Sequence, residues 1–300
     1  MKKKTYLFTL MAMALTLGSC SDNENGIGGE TSKYITVSTS IGNMTRVATD
    51  EKGGQTFEEG DEISVYAWTG DATVAPETRE RVVNNAINKL TNGSWVSTPQ
   101  MLWKNNRDKH YFIGVYPISA ISDLSAGEYT FDVNKQTESD LLVAVNKDGL
   151  SYNVDEQQTV PLIFTHVMAK LVVNLTYKNQ WGGIPTVEKV VVGNAAKEAT
   201  INYLTKVVTP STTAKEDFSL PEITENTKYV SVIIPQEDVK QLTIVIGGKN
   251  FVYDNGTPFK LESGKITTVN LEVGRDEIKL GDVKITDWEN GSTFSGEALN

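Results

Sequence analysis

Two histidines, one cysteine and a short run of carboxylates are the side chains of this sequence best able to do chemistry. His166 stands between Phe164 and Met168. An imidazole there could act as a general base or a metal ligand. Neither a second His nor a carboxylate lies at ligand spacing from it, so the simpler reading is a structural histidine at a domain junction. His110 follows Arg107-Asp108-Lys109 and is expected to be exposed ahead of a strand. Glu58, Glu59, Asp61 and Glu62 could pair for glycoside hydrolysis or hold calcium. A calcium loop needs Asp or Asn at alternate positions and a distant Glu, which are missing, so a solvated turn before Ile63 accounts for the cluster. Gly264-Lys265 is followed by Ile266, and Phe259 stands where a phosphate loop needs its first Gly. Neither G-x-S-x-G nor H-E-x-x-H occurs. A single Cys excludes an intramolecular disulfide and the usual cysteine-rich zinc sites. No catalytic residue, metal or cofactor is therefore expected. Of the five Trp, most are expected to pack in cores or at edges. Trp181, between Gln180 and Gly182, reads as loop-exposed and is the candidate binding platform.

The lone Cys has a chemistry of its own. Lys2, Lys3 and Lys4 precede an apolar run from Tyr6 to Leu17, too short to span a bilayer. Leu17-Gly18-Ser19-Cys20 follows, which resembles a bacterial lipobox. In such a motif the thiol of Cys20 takes a diacylglycerol, the signal 1–19 is removed, and the new amine is acylated. Several acyl chains on one residue would hold the chain to a membrane almost permanently. Residues 20–32 are rich in Gly, Asn, Ser and Glu and read as a flexible tether. The acidic start after Cys20 resembles a surface-export signal of Gram-negative lipoproteins, which implies an outer-membrane or cell-surface location.

These residues must be positioned by a body of 300 residues, of which 39% are hydrophobic and 22% charged, with a formal charge of −10. So acidic a chain repels phosphates, and a nucleic-acid partner is not expected. From Tyr34 onward the hydrophobic period is two. Ile35, Val37, Thr39 and Ile41 face one way in the first strand, and Ser38 and Ser40 the other. About fourteen such segments follow one another, punctuated by Asn92-Gly93, Gly182-Gly183, Gly247-Gly248 and Asn255-Gly256, the pattern of β-sandwiches. Arg79–Leu90 is read as loop and strand rather than helix. So many strands exceed one sandwich, so two are expected, with a seam near Phe164–His166.

Six ordered segments resemble the fimbrillin family, the Mfa-like lipoprotein pilins of Gram-negative anaerobes. They are the lipobox at Cys20; Phe57-Glu58-Glu59-Gly60-Asp61 leading into Ile63; Tyr116-Pro117; Asp140-Leu141-Leu142-Val143-Ala144; Phe164-Thr165-His166-Val167-Met168-Ala169-Lys170-Leu171; and Ile285-Thr286-Asp287-Trp288. The resemblance implies an all-β chain of two tandem transthyretin-like β-sandwich domains, 33–164 and 165–300. It also implies a stalk, tip or anchor subunit of a pilus without catalysis, with other pilus subunits and a membrane as partners.

The resemblance further implies assembly by strand complementation. A sandwich lacking a strand exposes a groove that a neighbour's strand can fill. In the family an Arg-specific protease removes the first strand. Here Arg46, followed by Val47, stands in the candidate cleavage loop; it could equally be a surface Arg in an ordinary connection. If it is cut, Ile35, Val37, Thr39 and Ile41 are placeholders. The donor would be Val283–Trp288, with Val283, Ile285 and Trp288, or the tail 291–300; Val283–Trp288 also reads as a plain final strand. The alternative is a monomeric surface lipoprotein whose sandwich loops bind a glycan or a host protein.

Overall fold

Alternating side chains can bury one face only if strands find partners, and the chain supplies them in three groups. The computed structural model describes residues 33–42, 56–136, 139–156 and 158–288. The first group is a seven-stranded sheet. Its order is β1 (Thr36–Ile41), β8 (Thr159–His166), β7 (Leu142–Leu150), β5 (His110–Tyr116), β2 (Glu62–Thr69), β3 (Arg81–Thr91) and β4 (Ser94–Thr98). Only β1 and β8 run parallel; the other neighbours are antiparallel. The β3–β4 hairpin turns at Asn92-Gly93, both at positive φ (51° and 71°), as a two-residue hairpin loop requires.

This sheet curls until its two edges meet. Trp95 Nε1 on β4 donates to Thr39 Oγ1 on β1 at 3.0 Å. Ile35 N donates to Met101 O at 3.0 Å, and Tyr34 bridges Leu102. Inside the curl lie Val37, Val65, Ala86, Phe112, Leu162 and Phe164, sealed by Met101 and Trp103. Gly114 is required there: a Cβ would fall 2.7 Å from the ring of Phe164.

The second group is a sandwich. One sheet runs β13 (Lys215–Ser219), β10 (Val187–Ala196), β16 (Gln236–Ile246), β17 (Lys249–Leu261). The other runs β14 (Glu222–Thr224), β15 (Lys228–Ile233), β9 (Ala169–Tyr177), β18 (Lys265–Val273), β19 (Ile278–Asp287). Leu171, Val173 and Val269 meet Val190, Leu242 and Ile244 in one core. The third group joins the other two. β6 (Gly127–Thr130) pairs with β11 (Glu198–Asn202), which pairs with β12 (Val207–Pro210). The same core runs on through Ile201 and Tyr203 to Tyr66, Trp68, Ile113 and Val115 of the seven-stranded sheet.

The chain passes from one sheet to the next between His166 and Ala169, and among the described residues one apolar core continues across this point. One expectation changes. His110 is not exposed. It opens β5 and is fully buried, its Nε2 accepting from Lys104 N at 3.0 Å, because β5 lies mid-sheet and Trp103 packs edge-on against the ring. Arg79–Leu90 is a 3₁₀ turn (Thr78–Glu80) followed by β3, in keeping with the loop-and-strand reading.

Candidate functional site

The sequence segments that stood far apart meet at two places, and both adjoin the first strand or the last. The first is an aromatic cluster where β1 leaves the sheet. Ile41 pairs with Phe164, and Gly42 N donates to Phe164 O at 2.8 Å. Phe57 stands edge-on to Phe164 (5.1 Å), Trp95 (5.3 Å) and Tyr116 (5.4 Å). Edge-on contact suits the ring quadrupoles and holds the four rings as a plug. Asp61 ties the plug down. Its Oδ2 accepts from Glu58 N at 2.7 Å and its Oδ1 from the Tyr116 hydroxyl at 3.4 Å. The rest of the acidic run is spent locally: Glu59 Oε1 accepts from Asn92 N, and Glu62 pairs with Lys89. Among the described residues no group of acidic, His or Cys side chains is arranged to hold a metal ion.

The second place is where β19 ends. His166 Nδ1 lies 2.8 Å from Asp140 Oδ2, and the His166 ring stacks on Trp288 at 3.9 Å and 8°. Lys170 Nζ sits 5.2 Å from the same indole, and Trp288 N donates to Gly264 O at 3.0 Å. Burial holds the Lys170 ammonium below its ordinary range. The Asp140 partner of His166 was not legible from spacing. It stands 26 positions upstream and reaches the ring only because β7 and β8 pair, with Leu142 opposite His166.

Each residue singled out from the sequence can now be placed. Ile35 and Val37 are 2% and 6% exposed inside the curled sheet, and Thr39 and Ile41 are half-buried on the same side. β1 is hydrogen-bonded as a ladder only to β8, and in parallel. Val283 and Ile285 lie opposite Val269 and Thr267 on β18. They therefore share the face that β18 turns to the core, yet are 38% and 39% exposed because β19 is the edge. Trp181 is half-buried rather than loop-exposed. Its Nε1 donates to Val273 O at 2.9 Å, Phe251 stands edge-on to it, and Arg275 lies over its face. Cys20, Arg46, Val47 and residues 291–300 lie outside the described residues.

What this geometry offers is a surface for other chains rather than a reaction centre: marginal strands with apolar faces, braced by aromatic clusters. A family model described as fimbrillin-like matches residues 45–288. The chain is 24% identical to a Bacteroides uniformis protein named as fimbrium subunit Fim1C, over 99% of this chain and all of that one. Its fold is similar to solved structures of cell adhesion proteins from Bacteroides uniformis and Bacteroides ovatus. Both have a TM-score of 0.64 at 18% identity, covering 86% and 85% of this chain and 100% and 98% of theirs. A fimbrial protein from Bacteroides vulgatus is also similar, with a TM-score of 0.54 at 12% identity over 84% of this chain and 99% of that one.

The class is thus that of β-sandwich fimbrillin-like proteins. The chain belongs to the fimbrillin-like family, and is a structural, non-enzymatic protein of the cell surface that assembles with other fimbrial subunits.

Proposed function

We propose that this fimbrillin is exported as a lipoprotein on Cys20, held at the outer membrane through its acylated thiol, and built into a pilus by strand complementation. In this reading cleavage after Arg46 frees β1, the placeholders Ile35, Val37, Thr39 and Ile41 leave, and a strand of another subunit takes their place. Cleavage also releases the body from its lipid and into the fibre. The observation that carries the reading is the position of β1. Its one ladder is to β8, the far edge of the sheet reaches it through only a few single bonds, Val37 within it and Ile35 just before it are buried, and Arg46 follows it closely in sequence. Burying Ile35 and Val37 is worth about 1.5–3 kcal/mol each. That holds β1 in place while the chain is intact, yet leaves it replaceable once it is severed. The donor is β19, through Val283, Ile285 and Trp288, or the segment 291–300. The division of the body at 164/165 belongs to the same reading, each part supplying one side of the exchange.

The test is direct. The full chain from Cys20 is treated with an Arg-specific protease, and the products are sequenced and run in SDS without heating. A cut after Arg46 followed by SDS-resistant ladders is expected. An uncut, stable monomer would overturn the reading and favour the monomeric binder.

A further inference from the structure

The interior of the curled sheet holds a polar side chain whose partners are incomplete. Asn88 on β3 is 1% exposed. Its Nδ2 donates to Ala86 O at 3.0 Å and touches Met101 Sδ at 3.8 Å. Its Oδ1 meets no donor among the described residues. A buried carbonyl oxygen left in this state carries the full cost of its lost hydration.

The first strand passes this oxygen at a definable level. Trp95 Nε1 donates to Thr39, Ile35 N donates to Met101 O, and Tyr34 bridges Leu102. β1 therefore runs antiparallel past residues 95–102, with Val37 falling beside Ser97–Pro99. Ser97 is the β4 partner of Asn88. Val37 and Asn88 thus lie at one level of the same interior, 6% and 1% exposed. Valine fills the space there and has no hydrogen to give.

We propose that the level of Val37 is a selectivity slot read by Asn88. A strand that replaces β1 binds best when its inward side chain at this level is a small hydrogen-bond donor: Ser, Thr or Asn. The inference rests on the reading of β1 as displaceable, and it names the chemistry of the partner. The occupant is an extended segment of another subunit carrying a hydroxyl or amide between larger apolar anchors. β1 itself, with Val at this level, is the weaker occupant, so exchange for such a segment runs downhill.

Val37→Thr is the sharpest probe, because threonine keeps the shape and adds the hydroxyl. In the intact chain its urea midpoint is expected to equal or exceed the parent's. Val83→Thr, the same change at an equally buried position of the same interior, is expected to lower it. In an Asn88→Ala background Val37→Thr should lose its advantage and behave like Val83→Thr. A Val37→Thr penalty equal to that of Val83→Thr in both backgrounds would overturn the slot. A second arm offers two synthetic peptides to the protease-treated chain, residues 33–42 as they stand and the same peptide with Val37→Thr. The threonine peptide is expected to bind about tenfold tighter, as one recovered hydrogen bond allows. Equal binding overturns the slot and leaves strand exchange standing. Entry by neither peptide overturns the displaceable strand, and the slot is then judged by the intact-chain comparison.

Discussion

At the residue scale the protein is organised by a few polar groups buried among rings. His110 is the clearest. Burial lowers its imidazole pKa below the usual range, only partly opposed by its contact with Asp108 O. A histidine depressed in the folded state lends stability above its unfolded value, near pH 6.5. That stability drains away as the pH falls below this value toward the folded one. The urea midpoint of the parent should therefore fall more steeply between pH 7.5 and pH 5 than that of His110→Gln, by at most about 1.4 kcal/mol per pH unit; parallel curves would refute this. Gly114 makes a second case. Gly114→Ala sets a methyl 2.7 Å from the Phe164 ring, and we expect a loss of about 1–3 kcal/mol in urea unfolding. Neither effect is written in the residue itself. His110 reads as a surface group after three charged neighbours, and only its place in a central strand buries it.

At the element scale, the edge strands decide what the protein can do. β19 is held by one ladder to β18 and by the Trp288 stack on His166. Trp288→Ala should loosen that end, costing about 1–2 kcal/mol for a stacked, half-buried ring. Limited proteolysis should then nick β19 before any other described strand; unchanged protease resistance would refute the brace. The alternating strands β8 and β18 were legible because period-two burial leaves a mark in the sequence. The short ones were not. β4 (Ser94–Thr98), β12, β13 (Lys215–Ser219) and β14 (Glu222–Thr224) are brief and largely exposed. Their pairing is supplied by neighbours rather than by their own apolar content.

At the scale of the whole molecule, the arm that carries β6 joins the seven-stranded sheet to the sandwich that follows it. Phe131 lies 5.3 Å from Phe218, Gln136 Nε2 donates to Ser219 O at 2.7 Å, and Tyr203 N donates to Leu124 O at 2.9 Å. Phe131→Ala should cost about 3–5 kcal/mol. The parent should unfold in one calorimetric transition, because a continuous core couples its halves, and the variant should broaden or split it. Two separate transitions in the parent would show that the arm does not couple them.

The sequence by itself determined the β-class and the inward face of the first strand. Each of these follows from local chemistry or from a spacing of two residues. Tertiary structure alone decided that Phe57, Trp95, Tyr116 and Phe164 form a plug, that Asp140 reaches His166, and that Asn88 is buried. Those partners are far apart along the chain, and only strand pairing brings them within contact range.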